Sequence, residues 1–217
     1  MMAISSRLAR LAAMSALLAT SALADSFSFV GDFTHDNDVQ FFSFTLLSGT
    51  NVVLRTLGYG GGVSASSQVV TAGGFESVLQ VYAANTGIAQ GGPIQPGPDP
   101  TCSFRTPDPQ RNNFCQDAYF GGFLSAGSYI LALTQSPNDP LGNLSDGFFY
   151  RDVVPDANFN SGFIGSGPFQ GTSHWAVDLL FVDAASEQTS TPEPGAAFLA
   201  ATALAVMGMR SRRRRLI

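Results

Sequence analysis

Period-two alternation of apolar side chains constrains this chain more than any other feature. In Val39–Leu47 (VQFFSFTLL), Phe42, Phe44 and Leu46 fall on one face, with Gln40 ahead of them on that face. Val52, Leu54 and Thr56 alternate with Val53, Arg55 and Leu57. Tyr129, Leu131 and Leu133 share a face in Tyr129–Thr134. In His174–Val182, Trp175, Val177, Leu179 and Phe181 point one way and Asp178 the other. Side chains two apart lie on the same side of a strand, so each pattern predicts a half-buried strand. Val78–Ala83 reads as another, and Ser26–Val30, Asp146–Tyr150 and Asn158–Ile164 as weaker ones. No helical period is sustained between the two ends of the chain.

Turn residues punctuate these runs. Ser48-Gly49-Thr50-Asn51 separates two strands as a hairpin loop does. Gly58–Gly62, Gly73-Gly74 and Ser125-Ala126-Gly127 mark further turns. Many short strands with Gly-rich turns predict an all-β fold, an antiparallel β-sandwich of jelly-roll type. Aromatic-rich strands, in a chain with 18 Phe, would fill the space between two sheets. Trp175 and the Phe side chains, as residues of alternating strands, read as core in preference to a sugar-stacking surface.

The segment Gln90–Gln116 differs. Its prolines Pro93, Pro96, Pro98, Pro100, Pro107 and Pro109 lack backbone donors, so it is no central strand but an extended surface excursion. It carries both cysteines, Cys102 and Cys115. In an exported chain an even pair favours a disulfide, with a reactive thiol or metal ligation as the alternatives. Such a bridge would contribute about 2–3 kcal/mol by restricting the unfolded chain.

The two ends read as addresses. Arg7 and Arg10 precede an apolar run, Leu11–Ala19, and Ala22 and Ala24 are the small residues of a cleavage site. This is the layout of a secretory signal peptide over residues 1–24, exported through the Sec translocon and cut by signal peptidase. At the other end Pro192-Glu193-Pro194 leads into the apolar run Gly195–Met209 and then Arg210, Arg212, Arg213, Arg214 and Arg215. The run is shorter than the ~17–25 residues of a spanning helix, so an anchor there is marginal. Its arginines would stay cytoplasmic by the positive-inside rule, leaving the preceding chain outside.

That tail, residues 192–217, resembles the PEP-CTERM sorting signal of Gram-negative bacteria: the Pro-Glu-Pro motif, a short transmembrane helix and a terminal arginine cluster, in that order. The resemblance implies an exosortase partner, transient inner-membrane association, processing near Pro-Glu-Pro, and transit to the cell surface or exopolysaccharide matrix. The organisation expected is a signal segment (1–24), a β-sandwich domain (25–184), a linker (185–191) and the sorting segment (192–217).

The body adds phrases of its own: Asp38-Val39-Gln40-Phe41-Phe42-Ser43-Phe44-Thr45, Gly73-Gly74-Phe75-Glu76-Ser77-Val78-Leu79 and Ala126-Gly127-Ser128-Tyr129-Ile130-Leu131-Ala132-Leu133-Thr134. Together they resemble a family of PEP-CTERM-sorted β proteins, itself distantly similar to the bacterial pre-peptidase C-terminal domain, a small β-sandwich appended to secreted proteases. The chain departs from that pattern at Glu76-Ser77, where the family carries Asp-Pro, and after Ala89, where the Gly/Pro excursion replaces an acidic turn.

Charge narrows the function classes. The net charge is −5, and the chain has no lysine. Residues 25–191 keep four of the 11 arginines and all but Glu193 of the 16 acidic residues, a net charge near −11. An acidic body lacks the basic face of a nucleic-acid binder. It suits a soluble extracellular exterior and an affinity for divalent cations.

Catalytic signatures are wanting. The chain contains no H-E-x-x-H, G-x-S-x-G, P-loop or G-x-G-x-x-G motif. His35 and His174 are its two histidines, and a Ser-His-Asp triad has no positive support. The reading is therefore non-enzymatic, with no catalytic residue assigned. The best site candidate is Asp32, Asp36, Asn37 and Asp38, since Ca²⁺ takes carboxylate and amide oxygens. The same residues equally suit a turn before a strand, and the Gly and distal Glu of an EF-hand are missing. The expected role is structural or adhesive within an exopolysaccharide layer. A carbohydrate- or Ca²⁺-binding module is the alternative, and a secreted hydrolase a third.

Overall fold

The computed structural model describes residues 25–96, 116–164 and 171–188. The signal segment with Ala22 and Ala24, the cysteines Cys102 and Cys115, and the sorting segment with Pro192, Glu193, Pro194, Arg210, Arg212, Arg213, Arg214 and Arg215 lie outside the described residues. The described residues are mostly strand: β1 (Asp25–Asp32), β2 (Val39–Leu46), β3 (Thr50–Thr56), β4 (Gly62–Val63), β5 (Val69–Val70), β6 (Ser77–Ala83), β7 (Tyr119–Leu124), β8 (Gly127–Gln135), β9 (His174–Val182) and β10 (Ala184–Gln188). A short 3-10 turn, Leu144–Asp146, and a π-helical turn, Phe149–Val153, interrupt the connection from β8 to β9. The protein is all-β, and among the described residues every strand pair is antiparallel.

Two four-stranded sheets carry the fold. The first has the order β1-β9-β3-β7 and the second β10-β2-β8-β6, while β4 and β5 form a small ribbon. The alternation read from sequence explains their inner faces. Phe42, Phe44 and Leu46 of β2, Val52 and Leu54 of β3, Tyr129, Leu131 and Leu133 of β8, and Trp175, Val177 and Leu179 of β9 all belong to one buried cluster. That cluster draws side chains from both sheets. Register sets the pairs within a sheet: Phe42 lies opposite Leu131, and Phe44 opposite Tyr129, where the rings stack at 5.1 Å. Between sheets, Phe42 meets the edge of Trp175 at 5.6 Å.

Several expectations are corrected. Ser48-Gly49-Thr50-Asn51 does not close a hairpin, because β2 bonds β8 and β10 whereas β3 bonds β7 and β9. Alternation tells which way a side chain faces and is silent on which strand lies alongside. Phe181 does not share the face of Trp175, Val177 and Leu179; it is 48% exposed, and Val182 is fully buried in the core instead. The cause is a bulge. Asp25 pairs with Val182 and Ser26 with Leu180, so Phe181 is the extra residue, with φ +63°. One inserted residue reverses the facing of everything beyond it. Asp146–Tyr150 and Asn158–Ile164 are turns, not regular strands. Residues 185–188, expected as linker, belong to β10 and run along β2. The excursion after Gln90 begins closer to the sheet than expected: Ile94 exchanges backbone bonds with Leu79 and packs on the core.

Both sheets are covered on their second faces as well. Over the second sheet, Phe148 joins Phe41, Tyr82, Ile130 and Ala132 in a separate cluster, with the Phe41 and Phe148 rings 6.0 Å apart. Burial pushes the Tyr82 phenol well above its ordinary pKa, and its hydroxyl has no hydrogen-bond partner among the described residues. Removing an unsatisfied hydroxyl forfeits no bond. Tyr82→Phe is therefore expected to hold or raise stability, by no more than about 1 kcal/mol, in a urea titration; a loss larger than that would show an unseen partner.

Over the first sheet lies a strap, residues 57–74, that includes β4 and β5. Leu57 and Val70 of the strap pack on Ala176. Gly73 and Gly74 donate backbone bonds to Tyr59 O (3.1 Å) and Gly58 O (2.8 Å). At Gly74 a Cβ would collide with the carbonyls of His174 and Gly58, so these segments of the chain meet this closely only at glycine. Two carboxylates pin the strap. Asp117 accepts from Thr56 Oγ1 (2.9 Å), Tyr59 N (3.1 Å) and Gly60 N (2.7 Å). Asp178 accepts from Arg55 Nη2 (2.8 Å) and Nε (3.0 Å), from Ser28 Oγ (2.6 Å) and from Ala65 N (3.1 Å).

Candidate functional site

The loop between β1 and β2 is shaped by its own polar residues. Asp38 Oδ2 accepts the backbone N–H groups of Thr34 (2.7 Å) and His35 (2.8 Å), and Asp38 N donates to His35 O (3.1 Å). An aspartate that bonds backbone donors just upstream fixes a tight turn. Phe33 anchors the loop from below, stacked on Phe75 at 5.0 Å.

A second segment is clamped against this loop by one buried side chain. Asn138 donates from Nδ2 to Asn37 O (2.9 Å) and accepts at Oδ1 from Tyr150 N (2.9 Å) and Arg151 N (3.2 Å). Asn37 Nδ2 adds a bond to Tyr150 O (3.2 Å). Arg151 is thereby held with its guanidinium carbon 4.9 Å from the Phe148 ring centroid and 5.8 Å from that of Phe41, its Nε 3.0 Å from Asp152.

Between loop and clamp lies a cleft of about 300 Å³, lined by Asp32, Phe33, Thr34, Asp38, Val39, Gln40 and Arg151. Its charges are mixed. Asp32 and Asp38 expose 66% and 37% of their side chains, and each has a histidine at 3.9 Å: His174 Nδ1 for Asp32 and His35 Nδ1 for Asp38. Carboxylates, an amide, a hydroxyl and a guanidinium at one cleft offer both acceptors and donors to a polar ligand. Ser173 Oγ donates to Asp32 (3.2 Å) and not to His174, so these three residues do not form a nucleophile–base pair.

The four residues expected to gather around Ca²⁺ are divided. Asp32 and Asp38 open into the cleft. Asn37 turns to Tyr150. Asp36 points inward, is 2% exposed, and accepts from Asn160 N at 2.9 Å. Burial raises its carboxyl above the ordinary range and the nearby Asp156 adds to the rise, while the Asn160 N–H opposes it. Among the described residues no three His, Cys, Asp or Glu side chains form a metal-ligating group. Arg151 and Asn138 were not foreseen. The scarcity of arginine in the body was a usable signal for the first; the second carries none, since its partners lie far along the chain. Trp175 is core, 3% exposed, as read from sequence.

Among the described residues no helix is long and apolar enough to cross a membrane. No protein family, curated protein or solved structure matches the chain.

Proposed function

We propose that the chain is an exported protein carried to the cell surface or extracellular matrix by its C-terminal segment, where its body serves a structural or adhesive role in the exopolysaccharide layer. The observation that carries the reading is the ordered run of Pro192-Glu193-Pro194, an apolar stretch and five arginines. In this reading signal peptidase and the Sec translocon act on residues 1–24, exosortase acts on 192–217, and both terminal segments are helices in the membrane. The two four-stranded sheets face each other as an antiparallel β-sandwich of jelly-roll type, which is supported by a core cluster drawn from both. The body is non-enzymatic.

Deleting residues 192–217 is expected to shift the protein from the surface fraction into the medium or the periplasm, read by fractionation and immunoblotting. Unchanged surface localisation in a strain with intact exosortase would overturn the sorting reading.

A second reading, a carbohydrate- or Ca²⁺-binding module, is favoured by the polar cleft of Asp32, Asp38, Gln40 and Arg151, whose donors and acceptors suit sugar hydroxyls.

A further inference from the structure

The turn after the clamp carries a pattern unconnected with the cleft. Asp156-Ala157-Asn158-Phe159-Asn160-Ser161-Gly162 places oxygen-bearing side chains at its first, third and fifth positions. That is the spacing with which a calcium loop, D-x-[DN]-x-[DN]-G, presents its first ligands. The sixth residue of such a loop bends the chain sharply. Here the bend is made by Ser161, Gly162 and Phe163, with φ of +45°, +88° and +67°. Phe159 locks the loop to the clamp by stacking on Tyr150, with ring centroids 4.1 Å apart and planes 5° from parallel.

A calcium loop of this kind completes its ligand set with a bidentate carboxylate at position 12. That position is Gly167. The missing carboxylate arrives from elsewhere in the fold. Asp36, on the β1–β2 loop, reaches into the turn and holds Asn160 N with Oδ2. Its other oxygen, Oδ1, is buried with no hydrogen-bond partner among the described residues, although the backbone N–H groups of Gly162 and of Asp36 itself also act on the carboxylate. A buried carboxylate oxygen without a partner is costly unless a proton or a cation meets it. Asp156 is close enough to act electrostatically on Asp36, so the local charge favours a cation.

We infer that Asp156, Asn158 and Asn160, completed by Asp36 from the β1–β2 loop, form a site for one Ca²⁺ ion. The inference deepens the second reading and rests on its cation-binding form, but relocates the ion from Asp32 and Asp38 to the turn. Calcium takes about six to eight oxygens, so backbone carbonyls or water complete the shell. Two carboxylates place the affinity with the weak extracellular modules, Kd on the order of 10⁻⁴–10⁻³ M.

The test is calorimetric titration of the full chain with CaCl₂ and, separately, MgCl₂. One Ca²⁺ per chain is expected, with Mg²⁺ binding more weakly because it tolerates less irregular geometry. Asp156 is exposed, so Asp156→Asn keeps the fold, checked by circular dichroism, and weakens Ca²⁺ binding by about tenfold or more. Asp32→Asn and Asp38→Asn leave it unchanged. No heat at about 5 mM Ca²⁺, or an affinity unaltered by Asp156→Asn, would overturn the inference. Loss confined to Asp32→Asn or Asp38→Asn would overturn it too, placing the ion in the cleft. None of these outcomes bears on where the deletion of 192–217 sends the protein, so the two proposals fail independently.

Discussion

Asp178→Ala lowers the free energy of unfolding by about 3–5 kcal/mol. The carboxylate is fully buried in β9, on the face away from the main core, and the Arg55 side chain beside it is 13% exposed. Two bonds from one guanidinium converge on Asp178 Oδ2, while Ser28 and Ala65 supply further donors. Removing the carboxylate takes away the acceptor of two Arg55 donors and the negative charge beside a nearly buried guanidinium, the case in which breaking a buried pair costs most. It also releases the strap, since the N–H of Ala65 loses its acceptor and Ser66 N is held only through Ser28 Oγ at 3.0 Å. The melting temperature should fall by about 10 °C, on the scale of a domain this size. Replacing both partners with apolar residues, Arg55→Met with Asp178→Leu, should recover most of the loss, because neither charge then needs desolvation. A single-variant loss under about 1 kcal/mol would mean the pair is solvated, as a surface ion pair is.

Phe42→Ala costs about 3–5 kcal/mol for a different reason. Phe42 is fully buried at the centre of the main cluster. Its ring lies 5.1 Å from Phe29 and 5.6 Å from Trp175, both of the other sheet. Truncation therefore opens a void between two sheets whose backbones are hydrogen-bonded and cannot close over it, so transfer and cavity terms add. Urea unfolding measures the effect. Phe123→Ala is the matched control: Phe123 is 65% exposed, and its loss should change stability by no more than about 0.5 kcal/mol. Equal losses in the two variants would show that Phe42 is not the packing centre.

How far the fold was legible depends on the level asked. The inward faces of β2, β3, β8 and most of β9 followed from alternation, because burial on one side of a pleated chain imposes a period of two. The partners of those strands did not follow. β1 meets β9 and β2 meets β8 across stretches of chain where no local turn dictates pairing. Phe181 escaped because a single residue with left-handed φ resets the alternation, and nothing in its side chain announces it. At the cleft, Asp32 and Asp38 stood out as a local acidic cluster. Arg151 reaches the same cleft only because Asn138 draws two distant segments together, a long-range hydrogen bond that spacing cannot encode. The same holds for Asp36, whose partner Asn160 is a residue on another loop.

The order of strands in the sheets has a consequence for timing. Apart from the small β4–β5 ribbon, no strand in the described residues hydrogen-bonds its immediate successor. A chain emerging N-terminus first thus exposes β1, β2 and β3 as orphans. β2 gains a neighbour only with β8, and β1 only with β9, near the end of the body. Pairing at such sequence distance is slow, because the loop must close before any contact rewards it. Until residues 174–182 arrive, the first sheet has neither its β1 pairing nor its β3–β9 seam, so its completion is deferred to nearly the last residues delivered. Lateness of this kind leaves the chain extended and its first strands unpaired for most of its synthesis.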